Sequence, residues 1–257
     1  DRAHTEPTAL MGGLAIYAAA ISALLIILFV SYLVGNVFRL REFASIVIAA
    51  TLMAAIGLWD DRRALPAWGK LGFQFIPVII VFLAGTRVAL PILDIGIWNQ
   101  IINFCISTCW ILYITNAINY MDNADGTAIM TSATTSAIFL LIALLNGQQL
   151  VSMLAAAVLG ASIAFARYNL PLPRSTIFMG DSGSLFLGFL LAVLGIKLRI
   201  PTNTPEITWL VPIIALGLPI FDTAMVFISR TRRKISFFRG GVDHITHRLM
   251  RLGMDRL

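Results

Sequence analysis

The sequence predicts an all-α, polytopic membrane protein: a bundle of about eight transmembrane helices in one domain over residues 1–257. Three observations carry this. Hydrophobic residues make up 58% of the chain and charged ones 12%, where a soluble domain carries roughly 25% charged residues. Mean hydropathy is +0.86. The apolar residues come in continuous runs rather than in alternation, which fits helices better than a barrel. The composition excludes a disordered chain and an ordinary soluble globule. It also excludes reading the pI of 9.8 and the net charge of +6 as affinity for nucleic acid. In a membrane protein such an excess marks loops that face anionic lipid.

Crossing roughly 30 Å of hydrocarbon takes about 20 apolar residues. The first run, 11–34, ends at Gly35-Asn36. The second, 43–59, is short and closes on Asp60-Asp61, with Pro66 behind it. After the third, 68–86, the stretch Arg87–Asn99 has Pro91 and alternating apolar residues, the pattern of a short interfacial hairpin. The fourth, 100–118, carries Cys105 and Cys109 four apart on one helix face, which reads as packing and not as a disulfide framework. The fifth, 128–146, stops at Asn146-Gly147. The sixth, 150–166, precedes Pro171 and Pro173, and the seventh, 184–199, precedes Pro201 and Pro205. The eighth, 207–229, contains Asp222 and runs into the basic segment Arg230–Lys234. No internal repeat is evident.

Eight spans put alternate loops on opposite sides. One side collects 14 Lys and Arg residues and the other 5, so the positive-inside rule places the first in the cytoplasm. Asp60, Asp61, Asp122, Asp125, Asp181 and Asp243 fall on that same side. Carboxylates at the ends of several spans converge when helices bundle. Asp222 differs, since it lies eight residues before Arg230, roughly 12 Å inside the span at 1.5 Å per residue. It is either a functional group or a partner in a buried hydrogen bond.

Four segments have the residue types for phosphate chemistry. Adjacent Asp60 and Asp61 point about 100° apart on a helix, so the two are expected to divide their roles between a metal and a proton. Asn116, Asn119, Asp122 and Asp125 recur every three residues before Gly126. Neighbours in that series can touch, but its ends face apart, so some members contact an ion and others a substrate; oxygen ligands suit Mg²⁺. Phe178-Met-Gly-Asp181-Ser-Gly-Ser184 opens a span, and its small residues allow close approach of a phosphate or its metal. Asp243-His244-Ile-Thr-His247-Arg248 suits phosphate better than zinc.

Together these segments resemble the polyprenyl-phosphate N-acetylhexosamine-1-phosphate transferase superfamily. The motif order matches: Asp-Asp, N-x-x-N-x-x-D-x-x-D-G, F-M-G-D-S-G-S and D-H-x-x-H-R-L. The opening Asp1–Gly13 is similar to the family's first cytoplasmic loop. The resemblance covers essentially the whole chain. It implies an integral enzyme of the bacterial plasma membrane with its active site facing the cytoplasm. Such an enzyme transfers a sugar-1-phosphate from a UDP-amino sugar to a polyprenyl phosphate, giving a lipid diphosphate sugar and UMP and initiating cell-envelope glycan synthesis. The cofactor implied is Mg²⁺, with Mn²⁺ as the alternative ion, and a homodimer is compatible with it.

By the same resemblance, Asp181 and Asn119 are the metal ligands. Asp125 reads the uracil and Phe178 stacks on it, while Asp122 and Asn169 line the nucleotide–sugar pocket. Lys70 meets phosphate, and Asp60 and Asp61 position or deprotonate the lipid phosphate. His244, His247 and Arg248 hold the diphosphate. The H-x-x-H-R-L ending is similar to the transferases that use UDP-N-acetylglucosamine. The branch that transfers phospho-muramoyl-pentapeptide has three consecutive His there, and it stands as the alternative, beside a lipid or solute transporter. Ala9-Leu10, Asn123 and Thr127 depart from the usual Pro-Arg, Gly and Leu. Family members carry a helix before the position of Asp1 and another after Leu257, so the chain is expected to be a family core truncated at both ends.

Overall fold

The structure is a computed structural model that describes residues 11–35, 39–89, 96–170, 175–236 and 244–246. Every regular element among them is an α-helix: α1 (Gly12–Leu33), α2 (Leu40–Arg62), α3 (Ala67–Leu83), α4 (Gly96–Met121), α5 (Thr127–Leu145), α6 (Gln149–Asn169), α7 (Gly180–Lys197), α8 (Pro205–Ala215) and α9 (Gly217–Arg232). Six of these, α1, α2 and α4 to α7, are long and apolar enough to cross a membrane, and α8 with α9 makes a seventh, bent by 72°. The chain is an integral membrane protein. By length and composition the described helices give six or seven spans where about eight are expected. The remaining helix, α3, has 17 residues, about 25 Å at 1.5 Å each. It runs from Lys70 at one end of the bundle towards Glu42 at the other, where Thr86 just beyond it donates to the Glu42 carboxylate at 3.4 Å.

The predicted run 207–229 is two helices because of its prolines. Pro219 has no N–H to return to the Ala215 carbonyl, so the helix ladder fails there. The freed carbonyl accepts a hydrogen bond from Thr135 Oγ1 on α5 at 3.0 Å, which is how a bundle tolerates a broken helix at membrane depth.

The centre of the bundle is α7. Residues Ser182 to Ile196 are all buried, and the helix packs against α1, α2, α4, α5 and α6. Small residues let the backbones approach: a Cβ on Gly57 would lie 2.3 Å from the Asp181 carbonyl, and one on Gly188 would lie 2.8 Å from the Thr115 backbone. At one end of the bundle Glu42 on α2 pairs with Lys197 on α7. The other end gathers Asp60, Lys70, Asn119, Asn169 and Asp181, from the termini of α2, α3, α4, α6 and α7.

Candidate active site

Asp60 and Asp61 diverge, as their adjacency on a helix requires. Asp60 Oδ1 accepts the Leu65 amide at 2.6 Å, which fixes the turn into α3. Its other oxygen lies 2.9 Å from Lys70 Nζ. Asp61 instead reaches across to α7, accepting the amides of Asp181 at 2.7 Å and Ser182 at 3.0 Å. It is thus the N-terminal cap of a helix distant in sequence, satisfying amides that α7 leaves open. Gly180 makes room for it: its φ is +68°, and a Cβ there would sit 2.9 Å from Asp61 Oδ1. The small residues of this segment admit the Asp61 carboxylate at Gly180 and close contact with Gly13 at Gly183.

Lys70, in the first turn of α3, is held by oxygens from three helices. Its ammonium pairs with Asp181, lies 2.9 Å from Asp60 Oδ2 and donates to Asn119 Oδ1 at 3.3 Å. Asn119 Nδ2 in turn donates to Asp181 Oδ1 at 2.9 Å and to Ser184 Oγ at 2.8 Å. Asp60, Lys70, Asn119 and Asp181 therefore form one cluster with a cation at its focus. No group of three or more His, Cys, Asp or Glu fit to hold a metal occurs among the described residues. Mg²⁺ needs no such cage, because one or two protein oxygens suffice when phosphates and water complete its shell. The donors around the ammonium, two carboxylates and an amide oxygen, are of that hard kind.

The polar series straddles the end of α4: Asn116 and Asn119 lie on the helix, Asp122 and Asp125 in the turn after Met121. Asn116, the most deeply set, exchanges hydrogen bonds with Gln74 on α3, the shorter at 2.7 Å. Asp125 accepts from Ser175 Oγ at 2.7 Å. Asp122 has its carboxyl well above the usual carboxylate range, because burial disfavours the charge and Asp181, Asp125 and Asp61 repel it; a hydrogen bond from the Gly180 amide opposes this. Gly126, at φ +81°, turns the chain into α5. Asn169 Oδ1 accepts the Gly126 amide at 3.0 Å and its Nδ2 donates to the Ile177 carbonyl at 3.1 Å. This side chain is buried, and it clamps the turn to the segment before α7. In that segment Phe178 is partly exposed, and its carbonyl accepts the Gly12 amide at 3.1 Å.

Of the His segment, His244 is described; His247, Arg248 and Asp243 lie outside the described residues, as does the opening stretch 1–10. His244 Nδ1 is 2.7 Å from Asp222 Oδ2, and Asp222 Oδ1 accepts the Ile245 amide at 2.7 Å. Thr246 Oγ1 donates to Asn123 Oδ1 at 3.0 Å, so the Asn that departs from the family's usual Gly ties the two segments together.

Sequence reasoning missed Gln74 and Ser175, and gave Ser184 no role of its own within its motif. Gln74 carried a signal, as it lies four residues after Lys70 on an otherwise apolar helix, hence on the same face. Also unforeseen is an open apolar groove of about 830 Å³ between α3, α4 and α9, lined by Leu71, Trp110, Leu112, Tyr113, Tyr120 and Phe227 among others. Leu71 and Tyr120, which line it, are the chain neighbours of Lys70 and Asn119, so the groove and the charged cluster share the helices α3 and α4.

Residues 43–199 match the model of glycosyl transferase family 4. The chain is 30% identical over 257 residues, 99% of its length and 69% of the relative's, to a protein of Bacillus subtilis named "Probable undecaprenyl-phosphate N-acetylglucosaminyl 1-phosphate transferase". It is 27% identical, over 97% of its length and 67% of the relative's, to the "Decaprenyl-phosphate N-acetylglucosaminephosphotransferase" of Mycolicibacterium smegmatis. It is 33% identical, over 78% of its length and 65% of the relative's, to the "Phospho-N-acetylmuramoyl-pentapeptide-transferase" of Leuconostoc mesenteroides. The first two relatives are thus matched over about two thirds of their length.

Proposed function

The chain belongs to glycosyl transferase family 4, and from that premise we propose that it transfers N-acetylglucosamine-1-phosphate from UDP-N-acetylglucosamine to a polyprenyl phosphate, releasing UMP, at the cytoplasmic face of the membrane. The observation that carries this reading is a cationic focus, Lys70 Nζ among the oxygens of Asp60, Asn119 and Asp181, on helices α3 and α4 that also line an apolar groove. An acceptor with an anionic head and a long hydrocarbon tail has matching chemistry. The head would reach Lys70 while the tail lies along Leu71, Tyr113 and Phe227 in the groove.

In the reaction an oxygen of the lipid phosphate attacks the sugar-bearing phosphorus of the donor. The bond from that phosphorus to the bridging oxygen breaks, and UMP leaves with the electron pair. The nucleophile is already anionic near neutral pH, so alignment matters more than a strong base. Lys70 would add positive field where charge gathers in the transition state, with His244, His247 and Arg248 as further candidates for contacts to the diphosphate. Asp60 holds Lys70 in place. Asp61 holds the start of α7 and with it Asp181. Asp181 and Asn119 would hold Mg²⁺, which when bound supplies charge neutralisation on the diphosphate. Asp122, Asp125 and Phe178 remain the candidates for the nucleoside side.

UMP release by the full-length protein in lipid nanodiscs, across a panel of UDP-sugars with and without polyprenyl phosphate and Mg²⁺, tests the reading. Release with UDP-N-acetylglucosamine that requires both lipid and metal is expected. The 33% identity to a muramoyl-pentapeptide transferase supports a second reading, which release with UDP-N-acetylmuramoyl-pentapeptide alone would select. Absence of release with every donor would favour the transporter alternative.

A further inference from the structure

Asp222 is a carboxylate inside a membrane-spanning element, with 3% of its surface exposed. A group placed so deep is costly unless fully partnered. Both its oxygens are engaged by one short segment: Oδ2 by His244 Nδ1 at 2.7 Å and Oδ1 by the Ile245 amide at 2.7 Å. His244 is itself buried, at 6% exposure. One residue further, Thr246 Oγ1 donates to Asn123 in the turn between α4 and α5. The three residues 244–246 are therefore pinned at both ends, to α9 and to the turn that carries Asp122 and Asp125.

We propose that Asp222 is a positioning residue that orients His244 for the diphosphate of the donor. A carboxylate on Nδ1 fixes the ring's rotation and makes that nitrogen a donor, so Nε2 is the atom the ring offers to substrate. The Ile245 amide bond adds a second constraint, because the backbone that carries the ring is fixed by the same side chain. This explains why a carboxylate stands at membrane depth on α9 where an apolar residue would pack more cheaply. The bend between α8 and α9 starts the helix anew at Gly217, five residues before Asp222, and so sets the depth at which the carboxylate meets the segment. The role in diphosphate binding rests on the proposed transferase reading; the orientation of the ring does not.

Asp222→Asn keeps the side-chain shape and an acceptor for the Ile245 amide but removes the charge facing Nδ1. In the full-length protein it should lower kcat on the order of 10–100-fold, the usual effect of losing an orienting partner, with the donor KM changed less than about 3-fold. Asp222→Glu should recover part of the loss. In the His244→Ala background the Asn substitution should cost less than about 2-fold more, since its effect acts through the ring. Equal penalties in both backgrounds, or full activity of Asp222→Asn, would overturn the proposal. A ring readout independent of turnover separates this from the transferase reading. Nitrogen NMR of histidine-labelled protein, with His244 assigned by the His244→Ala spectrum, should move the His244 ring signals in Asp222→Asn. Unchanged ring signals overturn the orientation. Shifted signals in a wild type that releases no UMP retain the pairing and overturn the transferase reading alone.

Discussion

Replacing Asp61 by Ala tests whether this carboxylate serves the fold of the site more than the chemistry. The substitution removes both acceptors from the amides of Asp181 and Ser182, at 2.7 and 3.0 Å. A hydrogen bond to a charged group contributes about 1.5–3 kcal/mol, and a carboxylate at a helix N-terminus about 0.3–1 kcal/mol more. Asp61 is half-buried, so water recovers part of the loss and the net destabilisation should be about 2–4 kcal/mol. Asp61→Asn retains one acceptor oxygen and should lose roughly half as much. Thermal melts of the purified protein in nanodiscs, read beside UMP release below the melting range, give both quantities. Melting temperature and turnover should fall together, and more in Ala than in Asn. Asp61→Ala melting with the wild type while losing all turnover would refute the capping role and return Asp61 to direct chemistry.

Three further outcomes follow from the same geometry. Gly180→Ala sets a Cβ 2.9 Å from Asp61 Oδ1 on a backbone at φ +68°; it should cost about 1–3 kcal/mol, readable as a lowered melting temperature close to that of Asp61→Asn. Asp181→Asn should reduce turnover at least 10²-fold, the order for losing one charge-stabilising group, and full Mg²⁺-dependent activity in that variant would end the metal assignment. The raised pKa of Asp122 means that the folded protein holds this proton more tightly than the unfolded chain. Stability should therefore fall as pH rises from about 4, the ordinary carboxyl value, towards the raised folded value, and stay level above it. Asp122→Asn should flatten that fall in melts run across pH in metal-free buffer.

The membrane class and the face carrying the carboxylates were legible in the sequence because both depend on one-dimensional quantities: run length and charge placement. The divergence of Asp60 from Asp61 was legible because both lie on α2 and helix geometry fixes angles over a few residues; the angles expected for Asn116 to Asp125 did not carry over, because α4 ends at Met121. What a side chain meets across the bundle was not. That Asp61 caps α7, 120 residues away, and that Asp222 holds His244 are tertiary facts with no local signature. Asn169 reads as a polar residue before prolines, yet its partners Gly126 and Ile177 come from two other segments. The break at Leu216 was within reach. Pro212, Gly217 and Pro219 crowd the predicted span, but its hydropathy stays high through them, and run length alone registers no missing N–H.

The central claim is transfer of a phosphosugar to a lipid phosphate. Donor labelled in the phosphate attached to the sugar, UDP-N-acetylglucosamine carrying ³²P at the β position, tests it most directly with the full-length protein, polyprenyl phosphate and Mg²⁺. The account predicts that the label moves into the organic-soluble lipid in step with unlabelled UMP, and that Asp181→Asn blocks both. Label remaining in a water-soluble UDP while sugar alone enters the lipid would contradict it.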